Sequence, residues 1–426
     1  MKNNYDWPVV NFDEVVKISR GISYSSANLT EEGSGKPMLN LRNVGKGGGF
    51  RLDGLKYYDG EIKDRHRVFP GDLLIANTDL SKAKDVLGSP ILVPTGFGYE
   101  EAVFSLDLTK LSIDRNKAIV KFVMYFLATP STRNFMKDNG SGTTIMHLRL
   151  NSLSNLKIPL PPLKEQQNLV EMLDESFAEI DLLEKNLELS DEKANQLLQS
   201  ILSTALNITQ DSKGLRNHSA NQRLTVKSVR LADIFRIGSS KRVLKADWKE
   251  FGVPFYRGRE ITRLSKTGFA DNELFISESH FNDLSTNYGV PIPGDIMVTA
   301  IGTIGNTYIV KDSDRFYFKD ASVLWLHKES PVDSQFIDYW LKSDLFFEQL
   351  DKGNGATVDT LTIEKLSNVK VQLPALDTQR EIVARLDSSF AEIELLRLQI
   401  KREKDHASSL RQSLLSSAFT QQEVGV

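Results

Sequence analysis

Residues 160–206 and 373–419 are one segment written twice. They align without a gap at an offset of 213, and 21 of the 47 aligned positions are identical. A duplication constrains a fold strongly, because both copies must form the same local unit and bury the same face. The first copy opens LPPLKEQQNLVEMLDESFAEIDLL and the second LPALDTQREIVARLDSSFAEIELL. The likeness continues upstream. GSGTTIMHLRLNSLSNLKIPL at 140–160 faces GNGATVDTLTIEKLSNVKVQL at 353–373, FPGDLLIA at 69–76 faces IPGDIMVT at 292–299, and NFDEVVKIS at 11–19 resembles RLADIFRIG at 230–238. The chain therefore runs globular, helix, globular, helix, with an internal pseudo-two-fold repeat.

Both copies carry an apolar stripe at spacings of three, four and seven. In the first it comprises Leu173, Phe177, Ile180, Leu183, Leu187, Ala194, Leu197, Ile201 and Ala205. In the second it comprises Leu386, Phe390, Ile393, Leu396, Ile400, Ala407, Leu410, Leu414 and Ala418. Such spacing on an otherwise charged segment predicts a long amphipathic helix. The leucine-proline turn before each copy marks the start, since proline is tolerated only in a helix's first turn. Each helix of some 44 residues is about 65 Å long at 1.5 Å per residue. The stripe must leave water, and the other copy is the nearest matching partner, so an antiparallel coiled-coil pair is expected.

The globular blocks read as mixed α/β within an α+β chain. Short β-branched runs at Ser89–Val93, Ile296–Ala300, Thr307–Val310 and Val323–Leu326 are separated by glycine and asparagine turns. Each block carries one amphipathic helix near its end, around Ala118–Leu127 and Gln335–Leu341, whose aromatics (Phe122, Tyr125, Phe126; Phe336, Tyr339, Trp340) are assigned to core packing. The expected boundaries are 1–158 for the first globular block, 159–207 for the central helix, 208–222 for a polar linker, 223–371 for the second block and 372–422 for the distal helix.

Composition removes most chemistry. The chain has no cysteine, so disulfides, thiolate metal sites and cysteine nucleophiles are excluded together, which suits a reducing cytoplasm. The N-terminal MKNNYDWPVVNFDE lacks the apolar core of a secretory signal. The longest apolar run, Phe122 to Ala128, is far short of the roughly 20 residues a membrane helix needs. The six histidines show no metal-ligand spacing. Gly33-Ser34-Gly35-Lys36 is followed by Pro37 where a phosphate loop needs serine or threonine, and the Gly45–Gly49 run lacks a strand–GxGxxG–helix setting. No catalytic residue, metal site or bound cofactor is expected in this chain.

Charge leaves a nucleic-acid role open. The net charge of −3 averages +4 over 1–158, −7 over 159–210, +1 over 211–371 and −1 over 372–426. A polyanion is disfavoured on the first helix and permitted on the blocks. Cations and amides in glycine-containing turns can reach phosphates and base edges. The candidates are Lys46, Arg51, Lys82 and Lys84 in the first block, and Arg257, Arg259, Arg263, Lys266, Thr303 and Asn306 in the second.

GSGTTIMHLRLNSLSNLKIPLPPLKEQ followed by a long helix, all repeated once, resembles the specificity subunit of type I restriction–modification systems. PGDIMVTAIGTIGN at 293–306 is similar to that family's glycine turn in a target-recognition domain. The resemblance spans essentially the whole chain. It implies that each block reads one half of an asymmetric, bipartite double-stranded DNA site, and that the helices separate the blocks and dock two methyltransferase subunits. It further implies that S-adenosylmethionine, ATP and magnesium belong to the methyltransferase and restriction/translocase partners. The alternative is a coiled-coil scaffold whose two heads bind protein and have no DNA role.

Overall fold

The computed structural model describes residues 7–45, 48–80, 84–207, 226–350 and 360–420; the expected linker 208–222, together with Lys46 and Lys82, lies outside them. The chain divides into two compact units, Met1–Glu188 with Lys401–Val426, and Leu189–Ile400. Each unit therefore takes one globular block and part of both long helices. The central helix is Leu163–Leu206 and the distal helix Leu376–Phe419, 44 residues each, the length read from the repeat.

Each unit is built on the same four-stranded antiparallel sheet. In the first unit the order is Val16–Arg20, Leu108–Ile113, Leu73–Ala76, Pro90–Leu92. In the second it is Phe235–Gly238, Val323–Lys328, Ile296–Thr299, Thr307–Ile309. The Pro-Gly-Asp turns that lead into the inner strands are equivalent in detail. Gly71 and Gly294 both have φ +88, and the following Asp72 and Asp295 accept the N–H of Phe69 and Ile292 at 2.8 and 2.9 Å. A short strand closes each block beside its long helix. Val9–Asn11 pairs with Lys157–Pro159, and Lys227–Arg230 pairs with Lys370–Leu373.

The block-ending helices are Val120–Ala128 and Ser334–Leu341, and their aromatics are core, as expected: Phe122, Tyr125, Phe126, Phe336, Tyr339 and Trp340 are all buried. These helices dock onto the long helices by duplicated contacts. Gln166, fully buried, accepts the Ile119 N–H at 2.9 Å and donates to the carbonyls of Lys117 and Pro161 at 2.9 and 2.8 Å. Gln379, its counterpart, accepts the Asp333 N–H at 2.9 Å and donates to the Pro374 carbonyl at 2.8 Å. Tyr125 donates its hydroxyl to Asp174 and stacks edge-on against Phe177; Tyr339 does the same with Asp387 and Phe390. Burial and the adjacent carboxylate push both phenols above their ordinary range. A buried side-chain amide left without partners is costly, so these positions fix where each block sits on its helix.

Within each unit the two helices run antiparallel. In the first, the Arg411 guanidinium lies over the Phe177 ring, 4.8 Å from its centre, and pairs with Asp181. In the second, Arg397 donates to Asn195 Oδ1 at 2.5 Å. Leu173, Phe177, Ile180, Leu386, Ile393 and Ile400 are buried, while Leu187, Ile201, Phe390 and Leu414 are partly buried. Two expected packing residues are not. Leu197 is 51% exposed and Leu410 42% exposed, and Leu183 and Leu396 are also exposed. At 100° per residue, Leu197 falls about 60° short of the buried Ala194, whereas Leu198 and Leu202 fall about 40° and 80° beyond it. The second block's core lies on that far side, with Leu198, Ile201, Leu202, Ala205 and Leu206 packed into it. The distal helix repeats the rotation. After Ala407 the buried side carries Leu414, Leu415, Ala418 and Phe419, which pack into the first block's core. A helix facing both a partner helix and a domain buries a broader, rotated face than a two-helix seam does.

Candidate nucleic-acid interface

The second unit assembles its predicted residues around one helix. The strand Val253–Tyr256 runs into the helix Gly258–Thr267, whose N-cap is Arg257. Glu260, fully buried, accepts the Arg257 N–H at 2.9 Å and closes a capping box. Its carboxylate also accepts Arg257 Nη2 and Nε at 2.9 and 3.1 Å and Arg259 Nε at 2.6 Å. Arg259 turns Nη2 to Glu273. Burial pushes the Glu260 carboxyl up, but the hydrogen bonds from Arg257 and Arg259 outweigh it, and the group ends below its ordinary value. Arg257 and Arg259 are thus built into the helix start, with much of each donor fork engaged. Arg263 and Lys266, further along, are exposed; Arg263 Nη1 donates only to the Asp271 carbonyl, at 3.2 Å.

The glycine turn after Ile296–Thr299 meets that helix. Asn306 Nδ2 donates to Thr262 Oγ1 at 3.2 Å and to the Thr303 carbonyl at 3.3 Å, and its N–H bonds Thr299 Oγ1 at 3.0 Å. Gly302 and Gly305 occupy the left-handed region at φ +78 and +85. A Cβ on Gly305 would stand 2.8 Å from the Phe347 ring, so the turn requires glycine there for space as well as for dihedral. Thr303 is exposed at the tip and Asn306 half-buried behind it.

Beside the turn lies a cleft of about 380 Å³ that the sequence reading missed, lined by Arg242, Val243, Leu244, Lys245, Trp248, Ile301, Lys319, Asp320, Ala321 and Ser322. Its loop is tied to the strand Tyr317–Phe318: Ser240 Oγ donates to the Phe318 carbonyl at 2.6 Å and the Lys241 N–H to Tyr317 Oη at 3.0 Å. Ala321 is held at φ +58, a left-handed conformation costly for a side-chain-bearing residue, with its N–H on Ser239 Oγ at 3.2 Å. Arg242, Lys245 and Lys319 are exposed and form no ion pair with any described residue. The arrangement offers phosphate-binding cations above an apolar bed. The available signal was the cation-rich KRVLK at 241–245, following two serines.

The first unit is different at the same place. Where the second has its glycine turn, the chain after Leu73–Ala76 is pinned from within. Asp79, buried, accepts the N–H groups of Val86 and Leu87 at 2.7 and 2.9 Å, and Arg133 donates to the Asp85 carbonyl at 3.0 Å. Burial pushes the Arg133 guanidinium down to about 10. Lys84 takes φ +54 in this loop. Arg51 sits on another segment, closed on itself by a two-pronged pair with Asp53 at 2.9 and 2.7 Å, both side chains exposed. Among the described residues the first unit's candidates are not gathered as the second unit's are. Those residues also contain no group of three or more side chains able to hold a metal ion, and no helix long and apolar enough to cross a membrane.

Comparison with known proteins agrees with this duplicated architecture. The sequence profile of the type I restriction modification DNA specificity domain matches twice, at residues 4–189 and 224–403. The EcoBI specificity subunit of Escherichia coli is 25% identical over 97% of this chain and 85% of its own length. The EcoKI specificity subunit of E. coli strain K12 is 23% identical over 97% of this chain and 88% of its own. Among solved structures, a chain from a type I R-M system covers 97% of both chains with a TM-score of 0.69 at 18% identity. The HsdS subunit from Thermoanaerobacter tengcongensis covers 98% of this chain and 97% of its own with a TM-score of 0.51, also at 18% identity. With both units matched and the helices duplicated between them, the chain belongs to the type I restriction–modification specificity subunits, and carries two copies of their DNA specificity domain.

Proposed function

We propose that each unit reads one half of an asymmetric, bipartite duplex site. The observation that carries this is a contrast inside the repeat. The four-stranded sheets and the glutamine and tyrosine docking contacts are the same in both units, while the loops at the equivalent position differ, a glycine turn against an aspartate-pinned loop. Two readers on equivalent mounts, with unlike loops, require two unlike half-sites. The helices carry a second duplicated feature. Leu182 is exposed next to Asp181, whose partner Arg411 follows the exposed Leu410; the counterparts Leu395 and Leu197 are exposed in the second unit. One apolar pair per unit supports docking of two copies of the same partner, which we take to be a methyltransferase subunit.

On this reading the chain performs no turnover. S-adenosylmethionine belongs to the methyltransferase subunits, ATP and magnesium to restriction/translocase subunits that join through them, and the complex works in the cytoplasm. The test is methylation mapping in cells carrying the chain with its methyltransferase subunits. The expected pattern is an asymmetric sequence with two specified halves and an unread gap. A palindrome, or a single uninterrupted sequence, would refute the two-reader assignment.

A further inference from the structure

Phe269 is 71% exposed, yet its backbone is fixed. Gly268 ends the helix Gly258–Thr267 in the left-handed conformation, φ +69, with its N–H on the Leu264 carbonyl at 2.9 Å. The Thr267 hydroxyl then bridges the Phe269 backbone, 2.9 Å from its carbonyl oxygen and 3.3 Å from its nitrogen. A phenyl held on a fixed turn in water gains neither burial nor the entropy of a loose loop. Two cations stand beside it. Lys266 is exposed on the last turn of the helix, and Lys311 Nζ stands 3.9 Å from where a Gly268 Cβ would be. Neither ammonium forms an ion pair with a described residue; the Asp314 carboxylate beside Lys311 instead accepts the Lys311 N–H at 2.8 Å and the Tyr308 hydroxyl at 2.7 Å. The helix also links this turn to the glycine turn, because Asn306 is bonded to Thr262, one helical turn before Lys266.

We infer that Phe269 is a wedge that enters between two stacked base pairs of the bound duplex, with Lys266 and Lys311 on the flanking phosphates. The inference rests on the DNA-reading role proposed above. An aromatic ring entering a base step exchanges water for base faces, and adjacent cations hold the phosphates of the opened step.

The test uses the full chain assembled with its methyltransferase subunits, on duplexes containing the sequence mapped by methylation, with 2-aminopurine placed at each position of the second half-site in turn. Fluorescence rises at one step when the complex binds. F269A abolishes the rise and weakens binding about ten-fold, while the footprint keeps its position and thermal unfolding is unchanged. F269W restores the rise. F251A, which removes an 82% exposed phenylalanine elsewhere in the unit, changes neither. A rise that survives F269A, or no rise at any position of a protected duplex, overturns the wedge. So does an F269A chain that fails to join its methyltransferase subunits, since that would make Phe269 a protein contact. If the wild-type complex protects no sequence, the DNA-reading role itself fails and the wedge falls with it.

Discussion

The two units share a frame and differ at the loops it presents. Both have the same strand order, the same Pro-Gly-Asp turn and the same buried glutamine. In the second unit the presented surface is organised from a helix start, where one buried carboxylate gathers two arginines and a glycine turn is bonded to the next helical turn. In the first, a buried aspartate and a buried arginine hold the equivalent loop from inside. Outside the shared four-stranded sheet the units diverge in whole elements: a further five-stranded sheet in the first, and a three-stranded sheet with the helices Gly258–Thr267 and Glu278–Tyr288 in the second, so one frame carries two different presented surfaces.

The largest effect should come from removing half of the repeat. Residues 1 to about 210 contain one reader and the central helix but not the distal helix. A second copy of the central helix can replace the lost partner, because Ala407, Leu414 and Leu415 correspond to Ala194, Ile201 and Leu202. Arg411 corresponds to Leu198, so the pairing with Asp181 is lost, and because two segments of net charge −7 then face each other and repel, the fragment forms its dimer best at moderate salt. A two-fold dimer presents the same reader twice, so the fragment with methyltransferase subunits should modify a palindrome of the first half-site. Light scattering and methylation mapping check this. A monomer, or an unchanged asymmetric pattern, would break the equivalence of the two helices.

Next come the docking glutamines. Q166A and Q379A should each cost about 2–3 kcal/mol, since each strands buried backbone groups. Chemical denaturation measures both, and a large effect in only one unit would show that the mounts are not equivalent.

The third effect is pH dependence confined to the second unit. Glu260 is held below its ordinary value in the folded chain, so it binds fewer protons there than in the unfolded chain. Its contribution is complete above the ordinary carboxylate range and is lost as pH falls through the folded value. E260Q should therefore lower stability near neutrality and flatten the acid side of the profile. An unchanged slope between about pH 3 and 6 would contradict the assignment of Arg257 and Arg259 to the fold.

The smallest effects separate phosphate contacts from surface charge. K245A and K319A should each lower the salt slope of DNA binding by about one without altering the sequence read. R51A should leave stability unchanged within measurement error, because its pair with Asp53 is exposed and screened by solvent. Binding titrations across salt concentrations would expose an error in either assignment.

The duplication, the length of both helices, the second unit's inner strands and the core aromatics were legible in the sequence, because period and apolar spacing report burial directly; the first unit's inner strands Leu73–Ala76 and Leu108–Ile113 were not. So was the placement of Asn306 and Thr303 in a glycine turn, since glycine there answers to backbone geometry. The tertiary structure alone decided which cations remain available. Arg257 and Arg259 read as free cations in the sequence, and only the tertiary structure shows both gathered on the buried Glu260, with Arg257 as the N-cap. Leu197 and Leu410 fit the helical stripe by spacing, and only the side from which each recognition block packs rotates them into solvent. The cleft of Arg242, Lys245 and Lys319 joins segments some 75 residues apart through hydrogen bonds from Ser240 and Lys241 to a strand. Spacing along a chain fixes which face of an element is apolar, but the charges left free are determined by contacts between elements, and those exist only once the chain has folded.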